Sequence, residues 1–281
     1  MQTRQLSSHL GVEVSGVDVR QLDDTTTAEL YGIFVRAGVL CIREQRLTPE
    51  EFLGFARRLG TPIVQIYSQF NLPDFPEIGL LTSEDSDSSG SGKRKIRGTS
   101  WHTDASYYER PPKVTILNAQ QVPAVGGDTQ FASTSAAFAA LDGVDQTRLK
   151  DLKAVHNYQS SRSPRQLIAR SDAQVERFPE GTLHPLVRRN PDSGSAALYL
   201  NPIRIENVDG LPRAESDALL DRLLAHCLAP AFTYRHHWSA GDLLLWDNRS
   251  ILHQANDDYD WRLEKRRLMR IMLEGEVPQP A

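Results

Sequence analysis

Cysteine is scarce: Cys41 and Cys227 are the only two in 281 residues, and no Cys-x-x-Cys spacing exists. So small a count excludes a disulfide framework, and two reduced thiols in a cytosolic protein fit better than one bridge. An excess of either charge is also missing, with 32 Lys+Arg against 36 Asp+Glu and a net charge of −4. No electrostatic footprint for nucleic acid or for an anionic membrane results. No apolar run reaches transmembrane length, and Met1-Gln2-Thr3-Arg4-Gln5 lacks the apolar core of a signal peptide. The expectation is a cytoplasmic protein with no nucleic-acid and no membrane partner.

What is present is ordinary in bulk, 40% hydrophobic and 24% charged residues, in a chain long enough for a large core. No internal repeat and no convincing boundary appears, so residues 1–281 are expected to form a single domain. Helices are predicted first. Asp23 to Thr27 offers N-caps ahead of Leu30, Ile33 and Phe34, with Gly38 suited to the C-terminal stop. Thr48, Pro49 and Glu51 make a capping box ahead of Phe52, Phe55, Ala56 and Leu59. Short strand-like runs follow, including Val114-Thr115-Ile116-Leu117 and Leu243-Leu244-Leu245-Trp246, separated by turn signals such as Gly126-Gly127-Asp128. A further amphipathic helix is expected from Ala214 to Leu228. This pattern predicts a mainly β fold, barrel or sandwich, with flanking helices. The polar, low-complexity segment Ser83 to Gly98 cannot bury a core and is expected to be mobile. It ends just before His102, where long loops often act as lids.

The stretch Trp101-His102-Thr103-Asp104-Ala105-Ser106-Tyr107-Tyr108 carries the chemistry. If it is extended, His102 and Asp104 point the same way. The bare motif is weak, because eight His and 21 Asp in 281 positions give about 0.6 chance occurrences of His-x-Asp. A third ligand is available far downstream, at His253 in Trp246-Asp247-Asn248-Arg249-Ser250-Ile251-Leu252-His253. Two His and one carboxylate on one face of a metal are the facial set of non-haem Fe(II) oxygenases.

A second constellation is Arg266-Arg267-Leu268-Met269-Arg270-Ile271-Met272-Leu273. In a strand, Arg266, Leu268, Arg270 and Met272 share one face. Both faces are apolar enough for burial, which would project at least one pair of guanidinium groups inward, each needing an anion of carboxylate, sulfonate or phosphate geometry; a basic surface strand is the alternative.

The order Trp-His-Thr-Asp, Gly-Gly-Asp-Thr, His184-Pro-Leu-Val-Arg188, Trp-Asp-Asn-Arg with His253, then Arg266 and Arg270, resembles the taurine dioxygenase (TauD/TfdA) family. The likeness spans about Gly11 to Leu273. It implies a double-stranded β-helix, or jelly roll, and an Fe(II)- and 2-oxoglutarate-dependent dioxygenase that uses O2 and releases succinate and CO2. By resemblance His102, Asp104 and His253 hold the iron, and Thr129 and Arg266 hold the distal carboxylate of 2-oxoglutarate. Arg270 binds the anionic group of a small organic substrate, whose aliphatic C–H is oxidised. Arg267 competes with Arg266 and Arg270 if the register slips by one.

Two departures set this chain apart. Gln65 stands where taurine-oxidising members have a sulfonate-binding histidine, and Gly98 where they have an asparagine on taurine. Taurine is therefore not the expected substrate, and Gln65 and Tyr107 are expected to line the site of a different anion, Tyr107 and Tyr108 reading equally as core. Association into a homo-oligomer is compatible with the sequence. A zinc hydrolase using the same three ligands, or a non-catalytic jelly-roll binding protein, are the competing readings. Binding of 2-oxoglutarate separates them from the dioxygenase.

Overall fold

A computed structural model of the chain describes residues 1–83, 98–164 and 166–281, so most of the segment expected to be a lid, residues 84–97, lies outside the described residues. The main sheet has eight strands in the order Gln2–Gln5, Val12–Ser15, Val39–Ile42, Leu243–Asp247, Val114–Gln121, Arg267–Leu273, Phe75–Thr82 and Asn71–Leu72. All neighbours in it are antiparallel except the second and third strands. A smaller sheet pairs Thr233–His236, Thr129–Ser133 and Ile251–Ala255. Leu117, Leu244, Trp246 and Leu268 of the main sheet meet Phe131 and Ile251 of the smaller one in a shared core. These two sheets form a jelly roll better described as a sandwich than a barrel. Two further three-stranded sheets are present, Ala196–Leu198 with Val187–Arg189 and Gln279–Pro280, and Ile205–Val208 with Lys153–His156 and Thr182–Pro185.

The main sheet's other face is covered by the two N-terminal helices, Asp24–Ala37 and Pro49–Leu59. Phe34, Phe52 and Phe55 pack there on Ile116, Leu245, Ile271 and Leu273, each such side chain contributing about 1.5–3 kcal/mol on burial. The helix starts follow the sequence signals. Thr48 Oγ1 accepts from the Glu51 N–H at 3.2 Å, and the Thr48 N–H donates to Glu51 Oε2 at 2.8 Å. A third helix, Arg213–Cys227, covers Leu198, Leu252 and Val208 on the far side of the roll.

One local expectation needs correction. The His-x-Asp stretch is not a strand. His102 makes one isolated bridge, and a turn follows with Ala105 at φ 44° and the Tyr108 N–H donating to Ala105 O at 3.0 Å. Side chains supply what a ladder would have: Asn248 Oδ1 accepts from the Asp104 N–H at 3.3 Å, and the Thr103 hydroxyl donates to Asn248 O at 2.7 Å. The turn expected at Gly126-Gly127-Asp128 lies between strands Val114–Gln121 and Thr129–Ser133 and passes the chain from one sheet to the other. Both glycines have positive φ, and a Cβ on Gly126 would lie 2.4 Å from Asp258 O, so the turn needs bare backbone.

Candidate metal centre

His102 and His253 are joined through their backbones. The His102 N–H donates to His253 O at 3.0 Å, and the His253 N–H donates to His102 O at 2.8 Å. Directly opposed residues of an antiparallel pair project to the same side, and the two rings lie 4.2 Å apart between centroids. Trp246, 4.5 Å away, and Phe131 pack against the His253 ring and fix its rotamer. The Asp104 carboxylate arrives from the turn, with Oδ1 3.8 Å from His102 Nε2 and Oδ2 3.7 Å from His253 Nε2. All three donor atoms lie within 4.8 Å of one another. A metal with bonds of about 2.1 Å would set neighbouring donors about 3 Å apart, so closing on an ion needs shifts of about 1 Å or less.

The protonation states suit a divalent cation. The carbonyl of Ser100 lies 2.7 Å from His102 Nδ1, so that nitrogen carries the proton and Nε2 keeps its lone pair. Burial pushes the His253 imidazole down to about 4, leaving it neutral. Burial alone would raise the Asp104 carboxyl; facing His253, Arg270 and His102, with Thr115 donating to it, the group is instead held at about 2. Two imidazoles and one carboxylate converging from one side form the donor set of a facial site.

Arg270 adjoins this centre, and Arg266 is the other buried arginine of the C-terminal run. Arg266 is 6% exposed whereas Arg267 is exposed, so burial separates the two candidates. Arg266 Nε donates to Gly127 O at 2.9 Å, and its guanidinium lies 5.9 Å from the Trp238 ring centroid. Trp238 Nε1 in turn donates to Thr129 Oγ1 at 3.1 Å, which brings Thr129 and Arg266 around one indole. Arg270 Nη1 lies 3.9 Å from Asp104 Oδ1, and Nη2 donates to Gln65 Oε1. Gln65, itself buried, returns a bond from Nε2 to Arg270 O at 3.3 Å. Gly98 sits against the His102 ring. Tyr107 is 2% exposed and meets Tyr108 and Tyr158 edge to face at 4.8 and 5.2 Å, in an aromatic cluster beside the ligand turn.

Three contributors escape a reading of the sequence. Thr115 donates to Asp104 Oδ2 at 2.6 Å, and Asn248 Nδ2 donates to Thr115 Oγ1 at 2.8 Å. The one clue to Thr115 is a hydroxyl inside an apolar run; Asn248 lies in the Trp-Asp-Asn-Arg motif without a visible role. Trp238 carries no signal at all. Among the described residues a second trio, Cys41, His236 and Asp242, also has its donor atoms close together. There Asp242 Oδ2 is already engaged by Arg43 at 2.6 Å, the Ser239 N–H at 2.8 Å and His236 at 3.1 Å. A guanidinium on that carboxylate opposes a cation, so the trio reads as a buried ion-pair network.

The profile of the family described as "Taurine catabolism dioxygenase TauD, TfdA family" matches residues 2–272. The (S)-phenoxypropionate/alpha-ketoglutarate-dioxygenase of Sphingobium herbicidovorans is 32% identical over 271 residues, covering 94% of this chain and 91% of that protein. The alpha-ketoglutarate-dependent sulfate ester dioxygenase of Pseudomonas putida is 33% identical over 285 residues, covering 97% of this chain and 89% of its own length. The crystal structure of AAD-2 in complex with Mn(II) and N-oxalylglycine matches with a TM-score of 0.83 at 27% identity, over 99% of both chains. The chain belongs to the TauD, TfdA family, and it is an Fe(II)- and 2-oxoglutarate-dependent dioxygenase.

Proposed function

We propose that His102, Asp104 and His253 hold the iron, that Thr129 and Arg266 hold the distal carboxylate of 2-oxoglutarate, and that Arg270 receives a small anionic substrate. The observation that supports this most is the reciprocal backbone pairing of His102 with His253, which sets both imidazoles beside Asp104. With 2-oxoglutarate and O2, bound Fe(II) supplies the power to oxidise an aliphatic C–H, releasing succinate and CO2.

The protein's own part is placement. Ser100 fixes the His102 tautomer, Thr115 orients the Asp104 carboxylate, and the Trp246 ring blocks rotation of His253. Arg266 offers its fork where Gly127 and Trp238 hold it, a geometry that suits a carboxylate in two-point contact. Arg270 stands next to Asp104, so an anionic head there brings the adjoining C–H toward the metal side. Gln65 holds Arg270 by side chain and backbone and adds no positive charge of its own. That favours a carboxylate or a neutral amide over a strongly bound sulfonate such as that of taurine. The aromatic cluster of Tyr107, Tyr108 and Tyr158 walls the side beyond Asp104. The free, buried thiols of Cys41 and Cys227 support a reducing, cytoplasmic setting.

The test has two parts. Calorimetric titration with 2-oxoglutarate in the presence of Mn(II) should show one site, lost in Arg266→Ala. Succinate release should then be screened with sulfonates, alkyl sulfates, aryloxyalkanoates and acidic amino-acid derivatives. Absence of 2-oxoglutarate binding would overturn the site assignment, and efficient turnover of taurine would overturn the substrate class.

A further inference from the structure

Asn71, Gly79 and Arg270 form one row across three strands, since Asn71 partners Gly79 and Gly79 partners Arg270. The neighbours of each show which way the row faces. Leu72, Ile78, Leu80, Met269 and Ile271 pack in the helix-covered core, while Leu81 and Leu268 pack in the interior of the roll. By alternation Gly79 and Arg270 face the interior, the side on which Arg270 meets Asp104, and Asn71, although a bulge separates it from Leu72, shares that side as the direct partner of Gly79. Among the described residues, both polar atoms of the Asn71 amide, Oδ1 and Nδ2, are buried without a hydrogen-bond partner, and so is Arg270 Nε. Native proteins rarely leave a buried amide unsatisfied at both ends, because desolvation is then uncompensated.

Over Gly79, between Asn71 and Arg270, the row is occupied by Gln65. A Cβ at Gly79 would lie 2.5 Å from Gln65 Nε2, so its bare backbone makes room for the Gln65 amide. Gln65 directs its amide to Arg270 and none of it to Asn71. Two strand spacings put Asn71 about 10 Å from Arg270 between Cα atoms, a distance a short organic chain spans.

We propose that Asn71 is a second recognition point of the substrate site, reading a carboxamide-like group, both donor and acceptor, on the tail of the anion whose head lies at Arg270. The inference rests on the proposed dioxygenase site. The probes are linear carboxylates with two to five methylenes, each ending either in a primary carboxamide or in its isopropyl isostere. They are titrated into protein holding Mn(II) and 2-oxoglutarate, so that the reading is a Kd and not a turnover. At one chain length the carboxamide should bind at least about 10-fold tighter than its isostere, as one satisfied amide predicts. Asn71→Leu should erase that difference and raise the Tm of the ligand-free protein, since it removes an unpaired amide. No preference at any length, a preference that survives Asn71→Leu, or a Tm that does not rise each overturns the inference. Failure of the wild type to bind 2-oxoglutarate overturns the parent reading with it; binding without carboxamide preference overturns the inference alone.

Discussion

Thr115→Val tests whether the metal centre is built by its supporting residues as much as by its ligands. Thr115 is fully buried, and its hydroxyl donates to Asp104 Oδ2 at 2.6 Å while accepting from Asn248 Nδ2 at 2.8 Å. Valine keeps the shape and deletes both bonds. A bond to a carboxylate contributes about 1.5–3 kcal/mol, and the Asn248 N–H left behind costs about 1–3 kcal/mol. The carboxylate also becomes free to rotate, and loss of such an outer partner typically lowers metal affinity about 10–100-fold. Titration with Mn(II) or anaerobic Fe(II) should show that loss, together with a fall in Tm of the metal-free protein. Thr115→Ser restores the hydroxyl and should recover affinity to within a few-fold. Thr115→Val binding metal as tightly as the wild type would refute the reasoning, because Asp104 would then be oriented by something else.

Further outcomes are expected. His102→Ala and Asp104→Ala should lose stoichiometric metal, measured by elemental analysis, while remaining folded by circular dichroism. Arg266→Ala should raise the KM for 2-oxoglutarate roughly 10- to 150-fold, the value of a charge-assisted contact, while the exposed Arg267→Ala should leave it unchanged. Gly127→Ala should also raise that KM, because a Cβ would lie 2.9 Å from Pro123 Cγ and 3.3 Å from Arg266 Cδ at a φ of +67°. Thr48→Ala should cost about 1 kcal/mol in denaturant unfolding, with kinetics unaltered, because it removes only a helix cap.

Much of the fold was legible because its signals are local. The capping box at Thr48 and the stop at Gly38 depend on a few adjacent residues, and both appear as expected. The burial of Arg266 did not follow from the pattern, which left Arg266 and Arg267 as rivals: the strand begins only at Arg267, which is exposed, and Arg266 is buried just outside it. The ligand stretch was read correctly for its outcome and wrongly for its geometry. Alternation in a strand was the stated reason for His102 and Asp104 to converge, yet a bridge and a left-handed turn at Ala105 achieve it. Nothing local announces that turn, because the groups replacing the ladder belong to Asn248, far along the chain. Thr115, Trp238 and Asn71 were illegible for the same reason, as each acquires its role through partners that only the folded roll brings near.

The placement of these residues separates two kinds of function. Thr115 lies on a strand flanked on both sides, and His253, Asp104 and Thr115 are all buried among packed neighbours, where a changed side chain disturbs packing as well as chemistry. Asn71 lies on a two-residue strand at the sheet's edge, and Gln65 lies outside the strands altogether. Edge and loop positions carry little of the cooperative packing, so substitutions there alter recognition at small cost in stability. A centre fixed by the interior and a substrate wall set at the margin explain how proteins about one-third identical to this chain bear names for phenoxypropionate and for sulfate esters. On this argument the substrate of the present protein should be sought by varying the tail that reaches Gln65 and Asn71. The oxidising centre should be taken as constant.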